Sequence, residues 1–125
     1  MGLFDVFRGK GEANATPIYA FAFEVRSGQT KIPSPMIGAW VLAYALGDGP
    51  TEAAENAVNE LRAMGYVVTD MKTTGGQLIA GDWDKHVCER WPEFVGHFPK
   101  QDDVLSVLAR ENAIFGPFAG FEQQH

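Results

Sequence analysis

GPTEAAENAVNELRAMGYVV, residues 49–68, holds a helix start, a helix stop and the first residues of a strand. Ala54, Ala57, Val58, Leu61 and Met64 recur at helical spacing and make one apolar stripe. Pro50 suits the first helical turn, where its missing N–H is not needed. Glu52 and Glu55 lie near the positive end of the helix dipole. Gly65 can take the left-handed conformation that closes a helix, and Tyr66 can then pack back on the last turn.

Two strands precede this helix. In Tyr19–Val25 the bulky Tyr19, Phe21, Phe23 and Val25 alternate with Ala20, Ala22 and Glu24. In Ala39–Leu46, Trp40, Leu42, Tyr44 and Leu46 alternate with Val41, Ala43 and Ala45. Both strands have an alanine-rich side, and the expectation is one sheet side that a helix or a partner approaches closely. The loop 26–35 between them carries Pro33 and Pro35, which forbid regular structure there.

After the helix, Tyr66–Lys72 reads as a third strand. Thr73-Thr74-Gly75-Gly76 reads as a hairpin turn, and Gln77–Ala80 as a short fourth strand. Asp82 is a candidate N-cap for a helix over 83–91, with Trp83, Val87 and Trp91 on one stripe. Pro92 and Pro99 bracket an irregular segment in which Phe94, Val95 and Phe98 should pack. A last helix starts at Asp102 or Asp103 and runs to about residue 112. The tail contains Ile114, Phe115, Phe118 and Phe121, too apolar to stay in water, and should add a strand or fold over the core.

The order β-β-α-β-β-α-α implies an α+β two-layer sandwich: a mixed or antiparallel sheet of four to five strands, with helices mainly on one face. Residues 1–17 read as a flexible N-terminal segment and 18–125 as one domain. Within that segment Leu3, Phe4 and Phe7 form a short amphipathic turn. It is too short and too poor in basic residues for a membrane anchor, and Val6 stands where myristoylation wants Ser or Thr.

Composition narrows the function. The chain has 125 residues, 46% of them apolar, which is enough for a core without metal or disulfide staples. The formal charge is −6. Residues 1–40 carry four Lys/Arg and three Asp/Glu, and residues 41–125 carry six and thirteen. An acidic body repels phosphate, so no nucleic-acid partner is expected, while a basic protein partner is compatible. Cys88 is the single cysteine, so no intramolecular disulfide can form, which fits a cytoplasmic location. No stretch approaches the roughly 20 apolar residues of a membrane span.

No motif carries chemistry. His86 and Cys88, with His97 and a nearby acid, suggest a metal site only superficially. On a helix, positions 86 and 88 point about 200° apart and cannot share one ligand sphere. The simpler reading makes Cys88 a small buried hydrophobe and His86 a surface residue. A mid-helix Cys88 lacks the helix N-terminus that would activate a thiol. Asp82, Asp84 and Glu89 read as a cap and a solvated face, and Gly75-Gly76 lacks the Lys-Ser/Thr of a phosphate loop. No catalytic residue, metal or cofactor is therefore assigned. The residues left as candidates for a ligand pocket or an interface are the aromatics and histidines: Trp40, Trp83, His86, Trp91, His97, Phe115, Phe118 and Phe121.

The run LGDGPTEAAENAVNEL, residues 46–61, resembles the strand-to-helix junction in antitoxins of the HicA–HicB type. The Pro-Gly-Cys type turn of that family is replaced here by Met36-Ile37-Gly38, and no basic segment follows at the C-terminal end. The resemblance implies a shared α+β junction and no more. The expected function is a non-enzymatic interaction or accessory domain working through an aromatic surface and a sheet edge, as a homodimer. One alternative is a small-molecule binder or enzyme with an aromatic pocket around residues 83–98. The other is an acidic antitoxin- or immunity-like inhibitor of a basic protein.

Overall fold

The computed structural model of the protein describes residues 13–122. Of the N-terminal segment expected to be flexible, residues 1–12 lie outside the described residues. The elements run β1 (Pro17–Arg26), β2 (Met36–Ala45), α1 (Pro50–Ala63), β3 (Val67–Ile79), α2 (Trp83–Arg90), α3 (Gln101–Glu111), β4 (Ile114–Phe115) and β5 (Ala119–Glu122). They form an α+β fold around one five-stranded antiparallel sheet of order β3-β1-β2-β4, with β5 also paired to β2.

Helix α1 is built as its residues require. Pro50 occupies the first turn, and Gly49 enters it in extended conformation. At the other end Gly65 has φ +95°. The Tyr66 amide donates to Leu61 O (3.1 Å) and the Gly65 amide to Arg62 O (2.9 Å). Those two bonds are the Schellman closure, and Tyr66 packs on the same core as Leu61. A Cβ on Gly65 would meet the Thr30 backbone amide at 2.9 Å, so glycine is needed there for space as well as for φ.

The register decides the packing. β1 and β2 pair Tyr19 with Ala45, Ala20 with Tyr44, Phe21 with Ala43 and Ala22 with Leu42. Directly paired residues share a face, so each large side chain sits beside a small one. This corrects the expected single alanine-rich side: the alanines of β1 and of β2 lie on opposite faces. On one face Phe21, Phe23, Val25, Ala39, Val41, Ala43 and Ala45 form a core with Ala53, Ala57 and Leu61 of α1. On the other, Ile18, Ala20 and Tyr44 form a second core with Trp83, Val87, Phe98, Val104, Leu108 and Ile114. The long helix thus covers one face, and the two shorter helices cover one end of the other.

The third and fourth strands are one. Residues 67–79 run as a single strand along β1, with register shifts at Thr69 and across 74–75, and Gly76 has φ +69°. The Thr73–Gly76 signal is therefore a bulge in a continuing strand. The same positive φ serves a bulge or a turn, and pairing to β1 on both sides selects the bulge. The tail does add strands: Ile114–Phe115 pairs with Ala43–Tyr44, and Ala119–Glu122 with the first half of β2. Between Pro92 and Pro99 only a single 3-10 turn forms, Val95–His97. Phe98 is buried there, whereas Phe94 and Val95 are exposed, contrary to expectation.

Candidate functional site

The structure divides the eight candidate aromatics and histidines among three places. Trp83, His86 and Trp91 come from α2 and its C-terminal end and meet on Tyr44 of β2. The Trp83 ring stands edge-on to Tyr44 at 5.0 Å, and its Nε1–H donates to Pro99 O (2.9 Å). Trp91 Nε1–H donates to the Tyr44 hydroxyl oxygen (2.9 Å), and His86 Nε2 lies 2.7 Å from the same oxygen. An indole nitrogen can only donate. The arrangement that leaves nothing unpaired has Tyr44 O–H donating to a neutral His86 Nε2. The electrostatics agree. Burial holds the His86 imidazole below its ordinary pKa, with the Arg90 charge adding to the effect and Glu89 opposing it. Burial raises the Tyr44 phenol, against the opposing pull of the Trp91 hydrogen bond and of Arg90.

His86 and Cys88 exchange the places expected of them: His86 is half-buried in this network and Cys88 is exposed. Helix geometry explains it. Trp83 and Val87 fix the buried line of α2. His86 lies about 60° from Trp83 around the axis and Cys88 about 140°. Asp82 makes no side-chain cap. The start of α2 is held instead by a reciprocal exchange. Asp84 Oδ1 accepts from the Gln101 amide (2.8 Å), and Gln101 Oε1 accepts from the Asp84 amide (3.2 Å).

His97, Phe115 and Phe118 gather elsewhere, around a cleft of about 370 Å³ that also touches Met64 and Val107. His97 Nε2 lies 3.0 Å from Phe115 O, and the Phe118 ring is 5.3 Å from that of Tyr66. Trp40 and Phe121 occupy the sheet face opposite α1. Lys72 Nζ stands 5.0 Å over the Trp40 ring, and the Arg26 guanidinium 5.0 Å over Phe121. Among the described residues no three His, Cys, Asp or Glu side chains come together as metal ligands.

Another opening lies where no candidate was sought. On the α1 side of the sheet Val68 is half-buried and Met71 exposed, while Phe21 and Phe23 beside them are buried. A groove of about 800 Å³ runs there, floored by Phe21, Phe23, Val68 and Met71 and walled by Pro50, Ala54 and Val58. Glu55, Asn59 and Arg62 line its polar margin. Beside it, among the described residues, β3 is the outermost strand, paired only to β1. Val67 (48% exposed), Met71 (45%) and Ile79 (40%) make this strand unusually apolar for a free edge. The signal was present in the sequence as VVTDM and LI. Only the strand order shows that these residues lie at an edge.

The other border of the sheet differs. β4 and β5 share the β2 edge as two short pieces with Pro117 between them. β3 contains no proline over its 13 residues. Among the described residues no helix is long and apolar enough to cross a membrane. No protein-family model, curated protein or solved structure matches the chain.

Proposed function

We propose that the protein is a non-enzymatic interaction domain that works as a homodimer, joined by antiparallel pairing of β3 edges. The observation behind this reading is the open β3 edge: long, proline-free, apolar at Val67, Met71 and Ile79, and next to a groove with an apolar floor. Pairing two such edges satisfies the outer backbone groups of both strands and makes one ten-stranded sheet. The aromatic tail expected to form the contact surface packs on its own sheet through β4 and β5, which moves the contact to the other border.

The test is the mass in solution across a dilution series, for the natural chain and for Met71→Pro. The Met71 amide donates to Oδ1 of the preceding residue, Asp70 (2.8 Å), on the side away from β1. A proline there removes an outward donor and leaves the β1 pairing in place. The expected result is a dimer for the natural chain and a folded monomer for the variant. A natural chain that stays monomeric at high concentration overturns the proposal.

A second reading has one observation in its favour. The groove volume lies within the range of small-molecule sites, and Arg62 on its margin suits an anionic head group on an apolar chain. Thermal stabilisation by a medium-chain fatty acid, lost in Val58→Glu, would support it.

A further inference from the structure

Resting on the proposed edge pairing, we infer that two copies meet in one register, with the two-fold axis at Met71 and Asp70 of each copy opposite Lys72 of the other. The argument begins with the faces. Asp70 pairs with Glu24 and Lys72 with Ala22 on β1, so both side chains lie on the same face of the sheet, and both are exposed. Met71 pairs with Phe23 and lies on the groove side. A two-fold axis perpendicular to a continuous sheet keeps each face on its own side. A residue must then pair with one of its own parity, and the axis passes through a residue.

Four such centres, residues 70 to 73, fall in the segment between the two bulges of β3. An axis at residue 73 would set Lys72 against residue 74, inside the second bulge where regular pairing breaks. An axis at Asp70 sets Asp70 against Asp70, and an axis at Lys72 sets Lys72 against Lys72. Like charges directly opposite oppose pairing. The axis at Met71 gives two Asp70–Lys72 pairs and one Met71–Met71 contact. The backbone agrees with this centre. The outward Met71 amide marks residue 71 as a hydrogen-bonded position on the free side. In the dimer it would exchange its bond to Asp70 Oδ1 for the other copy's carbonyl, freeing the Asp70 carboxylate to face Lys72. Residues 70 and 72 are then non-hydrogen-bonded positions, where opposed side chains come closest.

The bulges at Thr69 and across 74–75 bound this segment. Bulges and charges normally protect an edge from indiscriminate pairing. Here opposite charges two residues apart admit one register and repel its neighbours. The groove floors of the two copies lie on the same side of the joined sheet, flanked by the two α1 helices.

Charge exchange tests the register. Asp70→Lys puts lysine at both positions, and Lys72→Asp puts aspartate at both. Each variant alone should dimerise about ten-fold or more weakly than the natural chain, as measured by sedimentation equilibrium at low salt. An equimolar mixture of the two should form heterodimers near natural strength, and the double variant D70K/K72D should recover its own homodimer. Rescue in the mixture also shows that each variant is folded. A natural dimer that Met71→Pro disrupts but the charge exchanges leave unchanged overturns this register and keeps the edge reading. A natural chain that is monomeric throughout overturns both.

Discussion

The Tyr44 hydroxyl joins residues 42 and 47 positions away in the chain, His86 and Trp91. Tyr44→Phe keeps the ring and removes the oxygen. It leaves the Trp91 N–H and His86 Nε2 without their partner, so stability should fall by about 1–3 kcal/mol. A urea titration with a lower midpoint and an unchanged slope would show it. The same network sets a pH dependence. His86 binds a proton less readily in the folded than in the unfolded chain, because burial lowers its folded pKa. The unfolded state therefore takes up more protons as pH falls through about 6.5, and stability falls with it. Above that value the contribution is constant. The urea midpoint should drop between about pH 7.5 and about pH 5.5, and drop less in His86→Gln, whose amide oxygen can accept the Tyr44 proton at either pH. Of this network, the residue types were legible as candidates at His86, Trp83 and Trp91. Tyr44 was legible only as a face of a strand, since nothing local says that α2 will fold over it.

At the scale of elements, α1 was the most legible. Its proline start and its glycine stop are set by neighbours within a turn, and the structure has both. The expected stripe is shifted, since Ala53, Ala57 and Leu61 form the buried line while Ala54 and Val58 are half-buried and Met64 is exposed. Its docking follows from small side chains: Ala53 and Ala57 are fully buried with Ala43 and Ala45. Ala57→Leu should overpack this contact and cost about 1–3 kcal/mol. Ala54→Leu adds the same volume on the groove wall and should change stability by less than about 0.5 kcal/mol. Paired thermal melts distinguish them, and equal losses would argue against the close approach. β3 shows the limit of local reading. Gly75-Gly76 signals a break in extended conformation, but whether the chain reverses or continues depends on β1, some fifty residues earlier.

For the whole molecule, the tail is the clearest case. Ala113 and Ile114 belong to the two opposite cores, and β5 pairs the first half of β2. A chain ending at Asn112 loses both anchors and bares the β2 edge. It should lose cooperative thermal unfolding, with the near-ultraviolet signal of the buried Trp83 and Tyr44 collapsing. A truncated chain that melts cooperatively would make the tail an accessory rather than part of the core.

From the sequence alone follow the α+β class, the element types and most of their limits. Side-chain period, capping and turn chemistry act over a few residues and are written in order along the chain. The tertiary structure decided what depends on distance between elements. It set the β1–β2 register that places the alanines on opposite faces, brought Trp83, His86 and Trp91 onto Tyr44, and left β3 rather than β2 with the long free edge. Those outcomes come from matching side-chain volumes across strands and from where the returning tail pairs. A one-residue slip in register exchanges every side chain between the faces, so no local pattern in one strand determines it.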